Sequence, residues 1–362
     1  MRTRVVIDGG GLSDASSFRG IGRYLRGLVS GLADQDGVEV LVLADPEVHL
    51  PPGIKRRKVR SHAPGRFALW EHELRLPLDL ALTRGDVVHS PAQDPPWRCH
   101  PPWVQTLHGV VPLIDPSPAF AYERKQWARW APRMRKATAV IAVSEFCAEQ
   151  GARALDLDPH RLQVVHHGVD ERFRNVDRAD PADPPYVLYV GEFGPSKGHD
   201  EAYAAIAAVA DTGLPHRLKV AGRIAPWYRQ QIEAQVAASA RPDRIDLLGY
   251  VGDALPALYR EASCLLISSR YESFCFPAVE AMASGTPVVA YSNTALPEIL
   301  GGAGVLARDG DVADLSQKVT EVLTTASLAA ELREAGYARS AEFSWDRCAA
   351  QHAEIFMSLV DC

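Results

Sequence analysis

Three features of the sequence predict an α/β chain built from two Rossmann-like, doubly wound domains. Short runs of consecutive apolar residues end in Gly, Ser, His or Asp, and longer amphipathic stretches alternate with them. The series then starts afresh after one tract, 175–185 (NVDRADPADPP), which is rich in Asp and Pro and nearly devoid of apolar side chains. Continuous rather than alternating apolar runs suit a parallel sheet covered on both faces. Two successive series of β-α units imply two such sheets with a cleft between them. The length of 362 residues agrees, at about 150 residues per domain.

In the first series, residues 5–8, 38–44, 86–90, 104–108 and 139–144 read as buried strands. The stretch 22–33 reads as a helix, with Ile21, Tyr24, Leu25, Leu28 and Leu32 at helical spacing, and 122–137 as another. Lys55-Arg-Arg-Lys58 with Arg60 reads as a solvated edge strand whose charges discourage pairing with other chains. The same cations suit anionic lipid headgroups or an anionic acceptor. After the Asp/Pro tract, read as a linker, the strands are 186–191, 218–222, 245–249, 264–268 and 287–291. Of the tryptophans, Trp70, Trp97, Trp103, Trp127 and Trp130 lie in the N-terminal half, with core packing their default role.

Composition excludes several classes. With 39 Lys+Arg against 45 Asp+Glu the net charge is -6, which argues against a general nucleic-acid binder. The charge is uneven: residues 1–180 carry +3 and 181–362 carry -9. Cysteines 99, 147, 264, 275, 348 and 362 have no metal-ligand or redox spacing and read as free thiols. The start passes directly into a strand-like run, and no apolar stretch approaches the ~20 residues that cross a bilayer. A cytoplasmic protein is expected.

The most informative segment is 268–300, SSRYESFCFPAVEAMASGTPVVAYSNTALPEIL. A strand leads into a loop carrying Glu272, and a helix starts near Pro277, a residue that suits a first helical turn. The loop therefore aims backbone N–H groups from about Ser273 to Phe276 and a helix dipole at one point, an anion site. Read blandly, Glu272 and Glu280 are solvated helix-end charges.

Glu272, seven residues, Glu280 and then Ala-Met-Ala-Ser-Gly-Thr-Pro-Val-Val-Ala resembles the signature of the family 4 retaining glycosyltransferases. Further stretches resemble the same family: Tyr189-Val-Gly-Glu-Phe-Gly-Pro-Ser-Lys197-Gly its phosphate loop, Val165-His-His-Gly-Val-Asp170 with Phe173 its hinge, Leu248-Gly-Tyr-Val with 255–259 its nucleotide-side loop and helix, and Phe343-Ser-Trp345 the start of its last helix. Gly20-Ile-Gly-Arg-Tyr24, His89-Ser-Pro, Thr106-Leu-His-Gly109 and Val143-Ser144 match more loosely. The resemblance implies the GT-B fold, with an acceptor-side domain at 1–174, residues 343–362 crossing back onto it, a linker at 175–185 and a nucleotide-sugar domain at 186–342.

It also implies roles. Glu280 would hold the ribose of a nucleotide-sugar donor. Glu272, with the N–H groups of Phe274, Cys275 and Phe276, would hold the transferred sugar and distal phosphate. Lys197 would contact the diphosphate as a point charge. Gly22, at a helix N-terminus, would let backbone approach the phosphates, and His108 would face sugar and acceptor. Where many members carry Arg after the glycine matched by Gly191 this chain has Glu192, so a second cation is expected from Arg223. Cys275 stands where glycine is common, and reads as a small hydrophobe rather than a nucleophile. His167 replaces a frequent Asn. Asp156-Leu-Asp158 reads as a structural turn, no metal site is expected, and the nucleotide-sugar is a substrate rather than a cofactor.

The expectation is metal-independent transfer with retention to a glycan, lipid-linked or small-molecule acceptor, with peripheral membrane contact as a further possibility. Residues 20–24, 220–223 with Trp227, and 292–298 look most like a subgroup that includes mannosyltransferases, which favours GDP-mannose over UDP- or dTDP-sugars. An NAD-dependent oxidoreductase fits poorly, because Gly20-Ile-Gly-Arg-Tyr-Leu25 lacks a third glycine and lies well past the first strand. A nucleotide-sugar epimerase, a glycoside phosphorylase and a non-enzymatic sugar-nucleotide sensor remain as rivals.

Overall fold

The computed structural model describes residues 2–13, 20–58, 76–96, 102–174, 182–194 and 196–360. They form two compact units, Met1–Gly168 with Ser344–Cys362, and Val169–Phe343. The boundary thus falls at 168/169 in the hinge segment, ahead of the expected linker, most of which (175–181) lies outside the described residues. Arg60, Trp70, Trp97, Cys99 and Cys362 also lie outside them.

The first unit runs β1 (Thr3–Asp8), α1 (Gly20–Ala33), β2 (Val38–Ala44), β3 (Lys55–Lys58), α2 (Leu76–Leu82), β4 (Val87–Ser90), β5 (Trp103–Leu107), α3 (Val111–Ile114), α4 (Ala121–Met134), β6 (Ala139–Ala142), α5 (Glu145–Leu155) and β7 (Leu162–Val164). Its seven parallel strands lie in the order β3-β2-β1-β4-β5-β6-β7. Val5, Val6 and Ile7 are wholly buried, as an apolar run covered on both faces requires. The basic strand β3 is an edge: Lys55 Nζ is 2.8 Å from Glu39, Arg57 is 3.6 Å from Asp79, and Arg56 donates to the carbonyls of Pro46 and Val48. Trp103 and Trp127 are core residues, and Trp130 meets Trp127 edge to face at 5.6 Å.

The second unit runs β8 (Tyr186–Val190), α6 (His199–Asp211), β9 (Arg217–Ala221), α7 (Arg229–Ala238), β10 (Ile245–Gly249), α8 (Leu255–Glu261), β11 (Cys264–Ile267), α9 (Phe276–Ala283), β12 (Val288–Tyr291), α10 (Leu296–Leu300), β13 (Val305–Ala307), α11 (Val312–Thr324) and α12 (Ala326–Ser340). Six parallel strands lie in the order β10-β9-β8-β11-β12-β13. One core cluster joins Val187, Val220 and Leu266 of the sheet to Ile206 and Val209 of α6 and to Leu315 and Val319 of α11. Each such side chain contributes about 1.5–3 kcal/mol when fully buried.

The last helix, α13 (Trp345–Ser358), belongs to the first unit and starts on Ser344, whose Oγ accepts from Arg347 N at 3.1 Å. It seats on α1 through missing side chains. A Cβ on Gly27 would lie 2.1 Å from the Trp345 ring, and one on Gly31 would lie 2.8 Å from Ala349 Cβ. Among the described residues no helix is long and apolar enough to cross a membrane.

Candidate active site

Strand order reverses between β8 and β11 in the second sheet, and ligands of doubly wound sheets bind beyond the carboxyl ends of strands at such a point. The loops leaving those two strands carry Lys197 and Glu272. Lys197 Nζ donates to Glu272 Oε1 at 2.6 Å, a half-buried ion pair. Burial works against the ammonium, but the charge and hydrogen bond of Glu272, with Cys275 and Glu192 nearby, outweigh it and hold the Lys197 pKa above the ordinary lysine value.

Both loops are held from behind. The Tyr189 hydroxyl of β8 donates to the Lys197 carbonyl at 2.6 Å, and Arg270 N donates to the Ser196 carbonyl at 2.9 Å. Gly198 has φ +59°, and a Cβ there would lie 2.1 Å from the Ser268 carbonyl, while Ser268 Oγ donates to the Gly198 carbonyl at 2.6 Å. Only glycine satisfies both the backbone angle and the approach. Glu272 itself is fixed by the β12–α10 loop: its N–H donates to Thr294 Oγ1 at 3.1 Å, and its carbonyl accepts from Ala295 N at 3.2 Å.

The expected helix starts one residue earlier than Pro277. Cys275 stands at the N-cap with φ 71° and ψ 73°, and Phe276 and Pro277 open α9. Cys275 and Phe274 are buried, and Phe274 meets Phe276 edge to face at 5.2 Å. Burial, reinforced by the charge of Glu272, pushes the Cys275 thiol far up, so the sulfur is an inert hydrophobe in this setting. Glu280, one turn inside α9, is no solvated helix-end charge: it is 1% exposed and accepts from the Tyr259 hydroxyl at 3.0 Å.

Arg223 follows β9 and is exposed, and Glu192 follows β8 and is exposed. A Cβ on Gly222 would collide with the Gly191 carbonyl at 1.8 Å, so the ends of β8 and β9 run together only because residue 222 is glycine. Lys197, Glu272 and Cys275 are brought together with Glu192 beside them, and Glu280 interacts with Cys275 from inside α9. Tyr189, Tyr259 and Thr294, which orient the charged groups, were missed from sequence, because their partners lie 8 to 22 residues away.

In the first unit the order reverses between β1 and β4. His108 directly follows β5, half-buried, with Nε2 2.7 Å from the Pro91 carbonyl beyond β4. Burial lowers its pKa to about 4, the Pro91 carbonyl opposing, so the ring is neutral at pH 7 and Nε2 carries the proton. Gly22 is buried in the first turn of α1, two residues before Tyr24, whose ring centroid is 5.1 Å from that of His108. His167 packs against Tyr24 at 4.7 Å and against Trp345 at 6.1 Å. Asp156 is a left-handed helix C-cap and Asp158 accepts from His160 N at 3.0 Å, so this Asp-x-Asp is turn structure. Among the described residues no three His, Cys, Asp or Glu side chains are grouped to hold a metal ion.

Comparisons with known proteins bear on the family and the fold. Residues 171–339 match the family described as "Glycosyl transferases group 1", and 18–173 match "Glycosyltransferase Family 4". The chain is 34% identical to the O-antigen chain mannosyltransferase B of Escherichia coli over 170 residues, 46% of this chain and 44% of that protein. It is also 34% identical to the 2-deoxystreptamine glucosyltransferase of Streptomyces kanamyceticus over 221 residues, 57% of this chain and 56% of that protein. The chain thus spans about half the length of these relatives. Sucrose-phosphate synthase from Thermosynechococcus elongatus shares the fold, with a TM-score of 0.80 at 22% identity over 99% of this chain and 100% of that one. Two glycosyltransferase family models that together run from residue 18 to 339, over two doubly wound units of GT-B type, mark the chain as a glycosyltransferase, an enzyme.

Proposed function

We propose that this chain moves a sugar from a nucleotide-sugar donor, GDP-mannose in the first place, to a hydroxyl of a glycan, lipid-linked or small natural-product acceptor. Transfer retains the anomeric configuration and uses no metal. The observation that carries the reading is the Lys197–Glu272 pair at the switch point of the second sheet, beside the N-terminus of α9. A nucleoside diphosphate leaves well once its charge is neutralised, and an ammonium with a helix dipole supplies that neutralisation.

In this reading Lys197 moves from Glu272 to the distal phosphate, and Glu272 takes sugar hydroxyls together with the N–H groups of Phe274, Cys275 and Phe276. Glu280, oriented by Tyr259, holds the ribose, and Arg223 supplies the cation that Glu192 displaces. Gly22 admits backbone to the phosphates, and neutral His108 hydrogen-bonds the sugar. The anomeric carbon–phosphate oxygen bond breaks and the acceptor oxygen bonds to the same face. The departing phosphate oxygen takes the acceptor's proton.

Mannose is favoured by the match to the Escherichia coli mannosyltransferase, and the Streptomyces relative keeps UDP- and dTDP-sugars as the alternative. A thermal-shift panel of GDP, UDP, dTDP and their sugars identifies the donor, since only a bound ligand raises the melting temperature. Turnover that persists in EDTA with the α-anomer of an α-donor retained supports the mechanism. Dependence on inorganic phosphate reassigns the chain as a phosphorylase, isomerised donor as an epimerase, and binding without turnover as a sensor.

Contact with an anionic membrane is proposed for α4 rather than for β3, where Lys55, Arg56 and Arg57 are engaged. Lys125 and Arg129 of α4 are exposed beside exposed Tyr122, and exposed Arg135 and Lys136 follow the helix, whereas Arg124 is engaged by the carbonyls of Asp115, Pro116 and Ser117. Binding to phosphatidylglycerol vesicles that salt reverses is expected. Failure to co-sediment with those vesicles at low salt removes this part of the reading.

A further inference from the structure

Inside the first unit four histidines surround one tyrosine. Tyr24 of α1 is wholly buried, and its hydroxyl lies 2.8 Å from His352 Nε2 of α13, 2.9 Å from Thr106 Oγ1 of β5 and 3.4 Å from His89 Nε2 of β4. His89 Nε2 is in turn 2.8 Å from Thr106 Oγ1. The rings of His108 and His167 pack on the tyrosine ring at 5.1 Å and 4.7 Å.

One carbonyl sets the direction of every hydrogen bond here. His352 Nδ1 is 2.8 Å from the Cys348 carbonyl, which only accepts, so Nδ1 carries the hydrogen. The ring is neutral, burial having lowered its pKa to about 4 against the Cys348 carbonyl, with His108 adding to the lowering. Nε2 is therefore bare and accepts from the Tyr24 hydroxyl. The tyrosine oxygen accepts from Thr106, and the threonine oxygen accepts from His89 Nε2–H. His89 Nδ1 ends the chain, buried and without a hydrogen-bond partner among the described residues.

The far end of the Tyr24 ring is thus anchored by the last helix, while its edge and face support His108 and His167. His108 is also held by the Pro91 carbonyl on Nε2 and packs against His167 at 5.7 Å. We propose that Tyr24 and His352 are positioning residues for His108, so that α13 holds the imidazole, whose tautomer the Pro91 carbonyl sets, in the orientation in which its Nδ1 accepts a hydrogen bond; this rests on the reading of His108 as a group that touches the reacting sugar. The distinctive juxtaposition is a histidine from the last helix bonded, through one tyrosine, to the packing of a histidine at the end of β5.

The test uses the full chain, with GDP release from GDP-mannose and UDP release from UDP-glucose as the two probes. Tyr24→Phe keeps the ring and is expected to lower kcat about tenfold, with the donor KM within about twofold. Placed on His108→Ala, Tyr24→Phe is expected to cost nothing further, because both act through one group. His352→Gln offers a side-chain oxygen to Tyr24 and keeps turnover, whereas His352→Leu behaves as Tyr24→Phe. An equal loss from Tyr24→Phe in both backgrounds, or no loss in either, overturns the proposal.

A second readout needs no turnover and holds if a variant melts early. Long-range ¹H–¹⁵N NMR of histidine-labelled protein is expected to show His108 as the Nε2–H tautomer, with its ring signals shifted in Tyr24→Phe and His352→Leu. Unmoved His108 signals in both variants also overturn it. Normal turnover in His108→Ala with an inactive Glu272→Ala removes the positioning role alone. Normal turnover in both variants removes the wider reading of the site.

Discussion

Lys197 and Glu272 occupy each other at 2.6 Å, and in the proposed reading a bound donor exchanges that contact for contacts of its own. Removing either charge is expected to lower turnover by about 10²–10³-fold, the range for losing a group that meets developing charge. Steady-state rates of Glu272→Ala and Lys197→Met, on samples whose melting curves show a folded chain, check this; turnover near that of the parent chain is incompatible with the assignment. Cys275 is the contrasting residue. Its thiol is buried and pushed far up by burial and by Glu272, so no thiolate is present near neutral pH. Cys275→Ala is expected to turn over within about threefold of the parent, and loss of activity to iodoacetamide at this position counts against the reading.

At the scale of elements, glycines decide whether neighbours meet. Gly198→Ala adds a methyl 2.1 Å from the Ser268 carbonyl at φ +59° and is expected to lose stability and turnover together, since it parts the two loops that carry the ion pair. Gly27→Ala drives a methyl into the Trp345 ring at 2.1 Å, and should cost about 1–3 kcal/mol in urea unfolding. Pairing it with Trp345→Leu should recover part of that loss, because the two sites share one contact.

The sequence makes most strands readable, because runs such as Val5-Val-Ile7 and Val38–Ala44 are buried on both faces. It gives β7 (Leu-Gln-Val) and β13 (Val-Leu-Ala) no such signal, each being three residues on a sheet edge. The charged members of the site were readable from two motifs, Glu272 and Glu280 from the 268–300 signature and Lys197 from the loop after β8. Their orienting partners were not, since Thr294 and Tyr259 reach Glu272 and Glu280 only after the chain has folded. Tyr24 read as an apolar position of a helix stripe, and nothing local announced that its hydroxyl meets a residue 328 positions away.

For the whole molecule, buried neutral histidines set the response to acid. His108 and His352 in the first unit and His199 in the second are each held to about 4 by burial, against about 6.5 in an unfolded chain. The folded state binds fewer protons than the unfolded one between those values, so stability falls as pH is lowered through that window. Above about pH 6.5 the contribution is fully present, and below about 4 each group has forfeited up to about 3 kcal/mol. Urea midpoints are expected to drop steeply from pH 7 to pH 4.5 and to drop less in His352→Gln. A flat profile over that range contradicts the buried neutral assignment. The -9 carried by residues 181–362 acts at longer range, so donor binding should tighten with moderate salt if repulsion of the diphosphate outweighs Lys197, and weaken if Lys197 dominates.

The seating of α13 on α1 also orders events during synthesis. The first unit is discontinuous: its closing helix follows the whole of the second unit in the chain. On the ribosome, α1 emerges with Gly27, Gly31 and Tyr24 uncovered, and stays so until residues 345–358 arrive. The second unit is contiguous and free to fold in the meantime. A nascent chain stalled after Phe343 should therefore protect the second unit from protease while the first is digested, because Ser344–Cys362 completes the first unit only after the second has been made.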